Sequence, residues 1–245
     1  DVHRPVSSWC NINIGEYPKV RSRKILQFNY YATTRPKTFA AGQELSIPVL
    51  AGSNADEATV FGHGGASNLN EYKTYLIADT DMYADQEFQN YPAASDSEVH
   101  ARYLQLQSDG FAYGAYSLVR AITRAGQKGF LYQFSFAETG KRAALGAYHG
   151  EELHFLSDSF PRDWQHNPDD RELGRAIRTY WVQFAKTGNP NAGNVPDWPA
   201  FDEQADQYLD LGQTIRLRPV SQRVHVLAKI MHQVLAESDT RSQAH

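Results

Sequence analysis

The sequence predicts an α/β fold with a largely parallel sheet. Short apolar runs of strand length alternate along the chain with longer stretches of helical periodicity. The run Phe130 to Phe136 is aromatic and mostly apolar between Gly129 and Gly140, the pattern of a buried strand. The helical stretches begin on capping residues and end on glycine or a cation. With 245 residues and 41% hydrophobic content the chain can build a core of its own. It has no internal repeat and no low-complexity tract.

Residues 1–37 form a basic lead-in, with seven Lys or Arg against two acids. Aromatic and basic residues alternate there in no regular way, so a solvated segment is expected rather than a nucleic-acid or membrane patch. The chain starts at Asp1 rather than Met, and is read as beginning after a cleavage, a truncation or an upstream segment. Ile47 to Leu50 opens a short apolar strand that runs into a polar turn carrying the acidic pair Asp56 and Glu57. Gly62-His-Gly-Gly-Ala-Ser-Asn-Leu69 reads as a loop. Asn70 is the expected N-cap for a helix over Glu71 to Asp79, and Ser95 or Asp96 for a second through about Gln107. A third has Ala112, Ala115, Tyr116, Val119 and Ile122 on one face, with Gly126 just past its end.

After the aromatic strand comes Leu-Gly-Ala-Tyr-His-Gly-Glu-Glu-Leu-His-Phe, Leu145 to Phe155, a glycine-turned loop presenting His149 at a sheet end. Asn167-Pro-Asp-Asp170 starts a helix whose buried face is Leu173, Ala176, Ile177, Tyr180, Trp181 and Phe184, closed by Lys186-Thr-Gly188. A last strand, Tyr208 to Leu211, precedes a final helix striped by Leu227, Ile230, Met231, Val234 and Leu235. A polar tail is expected from Glu237 to residue 245.

A formal net charge of −4 gives no reason to expect nucleic acid or an anionic membrane as partner. The single cysteine, Cys10, excludes an intrachain disulfide. No apolar run approaches the ~18 residues of a membrane span and no signal peptide is recognised, so cytoplasmic and secreted locations both stay open. His149, His154 and His166 lack the spacing and companions of a metal shell, and no metal or cofactor is expected.

An imidazole at a sheet end is suited to moving protons, and an acid that precedes it in the chain can fix its tautomer. Here the motifs become specific. Pro-Val-Leu-Ala-Gly-Ser-Asn-Ala-Asp-Glu, Pro48 to Glu57, followed by Phe61, and the Gly146 to Phe155 segment resemble the type B carboxylesterase and cholinesterase family of α/β-hydrolases. Phe184-Ala-Lys-Thr-Gly-Asn-Pro-Asn191, Asp197-Trp-Pro-Ala-Phe201 and Tyr208-Leu-Asp-Leu211 resemble the closing pattern of the same family. The likeness extends from about Thr38 to Leu211. It implies Glu57 as catalytic acid, with Asp56 as fallback, and His149 as catalytic base. It also implies a cap region in which Tyr72, Tyr75, Phe111 and Tyr113 line the substrate pocket.

The family's nucleophile lies on a Gly-x-Ser-x-Gly turn in the first half of a chain about twice as long. This sequence contains no such turn. Residues 38–236 are therefore read as the C-terminal part of an α/β-hydrolase fold, with the nucleophile-bearing N-terminal half absent. The expectation is the C-terminal portion of a serine carboxylesterase acting on a small-molecule ester, with serine and oxyanion hole outside this chain. An N-terminal chain of the same enzyme, or a homodimer partner, would cover the open sheet. A non-catalytic α/β-hydrolase-like module that binds a ligand or protein is the alternative. A hydrolase recruiting Ser53 or Ser67 from within this chain is a third possibility.

Overall fold

A computed structural model describes residues 47–61, 65–164 and 168–243. The basic segment 1–37, with Cys10, lies outside them, as do His166, the expected cap Asn167 and part of the Gly62 to Leu69 loop. Four strands form one sheet in the order β1 (Val49–Asn54), β2 (Gly129–Phe134), β3 (Gln207–Leu211) and β4 (Ile215–Pro219). β1, β2 and β3 run parallel; β4 turns back antiparallel on β3. The register sets Val49 opposite Gly129 and Asn54 opposite Phe134, so β1 and β2 end side by side.

The alternation in β2 divides the core. Phe130 and Phe134 point to one face, where they join Phe136, Phe155, Trp164, Ile177, Tyr180, Trp198 and Leu209. Leu131 points to the other, against Tyr116, Val119, Phe201 and Val224. The first face is covered by α4 (Glu152–Ser157) and α5 (Pro168–Thr187), the second by α3 (Asp96–Arg124) and α6 (Gln222–Gln243). Trp198 is at the centre of the first layer: fully buried, edge-on to Phe130, Tyr132 and Tyr180, with its indole N–H donating to the Leu131 carbonyl. That bond lets a large ring be buried without stranding its polar atom.

A third cluster lies under α1 (Leu69–Thr80) and α2 (Ala84–Asn90), where Tyr72, Leu76, Tyr91, Val99, Leu106, Leu227 and Met231 meet. The α1 cap is Asn68 rather than Asn70; its side chain accepts from the Glu71 N–H. α3 is one helix of 29 residues where the sequence predicts two. The polar pair in its middle supports it instead of breaking it. Ser108 accepts from the Ala58 N–H, and Asp109 accepts from the Tyr91 hydroxyl and the Arg223 guanidinium.

Gly188, with φ of 71°, ends α5 where the sequence expects it. α6 continues through Gln243, past Glu237, where its apolar stripe gives out. β4 is a mostly exposed strand carrying Arg216 and Arg218 and ending on Pro219, features that protect an edge from further pairing. Among the described residues, β1 pairs with β2 alone, and no helix is long and apolar enough to cross a membrane.

Candidate active site

Parallel strands deliver two chain segments to the same end of the sheet. Beyond Asn54 the pairing continues for one step, the Ala55 N–H donating to the Phe134 carbonyl, and the chain then tightens into a 3-10 turn over Glu57–Phe61. The turn buries the Glu57 side chain to 7% exposure. One carboxylate oxygen accepts from the Asn54 backbone N–H at 2.8 Å, and the other lies 2.5 Å from His149 Nδ1. Nδ1 is thus engaged by Glu57, which leaves Nε2 as the ring nitrogen that the acid does not touch.

His149 is held by a loop that is laced to the acid turn. The Asp56 N–H donates to the Ala147 carbonyl, and Asp56 Oδ2 accepts the Ala147 N–H at 2.9 Å. The Thr59 hydroxyl donates to the Leu145 carbonyl at 2.6 Å. Asn54 Nδ2 donates to the Tyr148 carbonyl and to Glu152 Oε2. The ring itself stays half exposed and is flanked by Phe61 and Phe111, with centroids at 5.2 and 5.7 Å. These two phenyl rings are nearly parallel, 6.4 Å apart, and form an aromatic wall beside the imidazole.

Beneath the loop, Glu138 and Glu151 are both buried. Burial foremost, then the negative charges of Glu138 and Asp56, push the Glu151 carboxyl up to about 8. Glu151 accepts the Tyr148 N–H, one more tie on the loop. Burial likewise raises Glu152, against the Asn54 hydrogen bond that lowers it.

Of the site residues read from the sequence, the structure brings Glu57 and His149 together. Asp56 is turned away from the ring and serves the Ala147 amide instead. Phe111 stands beside His149, but the three tyrosines do not. Tyr72 is fully buried, donating to the Tyr91 carbonyl in the core. Tyr75 accepts from Gln107 and packs edge-on against Tyr103. Tyr113 fills the seam between two core clusters. Phe61, which sequence reasoning did not single out, closes the acid turn with half its surface exposed. A large aromatic ending a tight turn that starts with the acid was the available signal.

Ser53 is buried on β1, and Ser67 gives its hydroxyl and N–H to the Glu71 carboxylate. Among the described residues, no serine hydroxyl is hydrogen-bonded to His149. His154 is engaged by the Ser159 carbonyl and the aromatic rings of Phe160 and Trp164. Among the described residues, no group of three or more His, Cys, Asp or Glu is placed to hold a metal ion.

Comparison with known proteins places relatives along most of this length. A sequence model of the carboxylesterase family matches residues 27–227. Fumonisin B1 esterase of Sphingopyxis macrogoltabida is 26% identical over 228 residues, covering 82% of this chain and 42% of that protein. Carboxylesterase 4A of Bos taurus is 32% identical over 110 residues, 44% of this chain and 20% of its own length. Carboxylesterase 1C of Mus musculus is 30% identical over 108 residues, 42% and 19% respectively. The matched stretches thus span between about a fifth and two fifths of these relatives.

Proposed function

The chain belongs to the carboxylesterase family, and on that premise we propose that it supplies the acid and base of a serine esterase that hydrolyses carboxylic esters. The observation that carries this is the Glu57–His149 pair, joined at 2.5 Å beyond the ends of neighbouring parallel strands, with Nε2 of the ring left for proton transfer. A serine outside this chain attacks the ester carbonyl, and His149 Nε2 takes the hydroxyl proton. The tetrahedral adduct collapses as the same proton passes to the departing alcohol. Water then repeats the sequence on the acyl-serine, losing a proton to His149 and releasing the carboxylic acid and the free serine. Glu57 holds the tautomer and balances the imidazolium charge in both halves.

The aromatic wall of Phe61 and Phe111 suits an apolar acyl or alcohol group packed beside the imidazole. The nucleophile and oxyanion donors come from an N-terminal segment of the same enzyme, which would pair with β1 and cover its edge; a homodimer partner is the alternative cover. Without that segment the chain has little triad activity, since a triad acts as a unit. A second reading, a non-catalytic module that binds a ligand or protein, follows from one specific feature: the 245 residues contain no Gly-x-Ser-x-Gly turn.

Labelling with a serine-directed fluorophosphonate, followed by intact mass of every chain present, separates the readings. Label on a companion chain, lost when His149→Gln is introduced here, is the expected result. Label on this chain at Ser53 or Ser67 would overturn the assignment of the nucleophile. A single unlabelled species of 27.6 kDa would mean an isolated fragment or the binding module.

A further inference from the structure

The last residue of β1, Asn54, touches both members of the pair without being either. Its backbone N–H donates to Glu57 Oε1 at 2.8 Å, the oxygen not used by His149. Its side-chain Nδ2 donates to the Tyr148 carbonyl at 2.6 Å, one residue before the base, and to Glu152 Oε2 at 2.5 Å, three residues after it. Asn54 is 1% exposed, and its Oδ1 has no hydrogen-bond partner among the described residues. The amide therefore cannot be flipped: doing so would aim Oδ1 at two acceptors. The amide nitrogen donates to the two sides of His149, while the amide oxygen is left buried and unsatisfied, an arrangement that costs stability.

We infer that Asn54 is a positioning residue that sets the distance and tautomer of the Glu57–His149 pair. The inference rests on the esterase reading above and deepens it. The sheet fixes the Asn54 backbone through its register with Phe134. The backbone N–H then orients the acid, while the amide pins the base loop on both flanks of the ring. Asp56 and Thr59 lace the same two segments further from the ring, at Ala147 and Leu145, and determine loop position. Asn54 joins the Glu57 carboxylate to both flanks of His149, at the Tyr148 carbonyl and the Glu152 carboxylate.

The test is nitrogen–proton NMR of the histidine rings in the full 245-residue chain, with His149→Gln assigning the signal. The wild type is expected to show a downfield, exchange-protected Nδ1 proton on His149. Asn54→Leu is expected to lose it and to shift the ring toward the Nε2-protonated tautomer. Because that variant takes the Asn54 donor from the partly buried Glu152 carboxylate and leaves the Tyr148 carbonyl with the Glu151 N–H as its remaining donor, it will also lose stability. The double variant Asn54→Leu with Glu152→Leu removes part of this mismatch and is expected to regain thermal stability without regaining the signal. Persistence of the signal in Asn54→Leu, or its return in the double variant, would overturn the inference and leave Asn54 a structural residue. Glu57→Gln separates the two levels: if it too keeps the wild-type signal, the Glu57–His149 pair itself fails and takes the inference with it. If Glu57→Gln loses the signal and Asn54→Leu keeps it, only the role of Asn54 falls.

Discussion

A β-carbon placed on Gly146 would lie 2.2 Å from Asp56 Oδ2. Gly146 also holds φ of 62° and ψ of −151°, a region essentially reserved for glycine. The close approach lets Asp56 reach the next amide, that of Ala147, three residues short of Gly150 and two short of the base. Gly146→Ala is therefore expected to expel the Asp56 carboxylate, strain the loop and lower unfolding free energy by roughly 2–4 kcal/mol. Urea denaturation measures this directly; an unchanged midpoint would contradict it.

Phe61 and Phe111 face the imidazole from the acid turn and from α3. In the enzyme supplied with its nucleophile-bearing segment, Phe61→Ala is expected to lower kcat/KM for esters with a large apolar group on the order of tenfold. Acetate esters of small alcohols should be affected less. Equal losses for both substrates would show that Phe61 supports the loop rather than selecting the substrate.

Glu87 is buried beside Thr80, whose hydroxyl donates to it, and burial first, then the Asp79 charge, push its carboxyl up to about 8 from an ordinary 4.5. The folded chain thus keeps a proton that the unfolded chain releases. Its contribution to stability is fully present below about 4.5 and is lost as pH rises through about 8. Glu87→Gln, which needs no proton, should flatten this decline. Thermal unfolding between pH 5 and 8 should show the variant gaining on the wild type as pH rises, with about 2–4 °C in Tm for each kcal/mol recovered.

Glu203 behaves in the opposite sense. Hydrogen bonds from Arg124 foremost, and from Arg120, hold its carboxyl down to about 2. Its stabilisation is present above about 4.5 and is lost as pH falls through about 2. A third of the side chain is exposed, so solvent and salt weaken the effect. Glu203→Gln should be less stable than wild type at neutral pH and converge with it near pH 2. The gap should narrow in 1 M salt, and acid unfolding curves at two ionic strengths check both points.

The parts legible in the sequence were those in which local pattern and tertiary role coincide. The aromatic run ending at Phe136 can only be a buried strand, and the glycines around His149 mark a turn at its end. α5 carries cap, stripe and terminal glycine in order. Elsewhere the signal was tertiary. Ser108 and Asp109 look like a helix break until Ala58, Tyr91 and Arg223 arrive to occupy them. Ile215 to Pro219 has little apolar pattern because β4 is an edge strand that exposes most of its side chains. Tyr72 and Phe111 are both aromatics on helices, and nothing along the chain distinguishes a ring bonded inward to Tyr91 from one facing an imidazole. Asn54 passes as an ordinary turn residue, because the partners of its side chain lie more than ninety positions away.

Glu57 and His149 lie on segments that leave two hydrogen-bonded neighbouring strands, β1 and β2, at the same end of the sheet. Between them in the chain come α1, α2 and α3, and α3 reaches back to the Glu57 turn through Ser108, which accepts the Ala58 N–H. The same helix carries Phe111, one wall beside the imidazole. One helix thus braces the turn of Glu57 and walls the ring of His149, so a change in α3 alters the pair and its surroundings together.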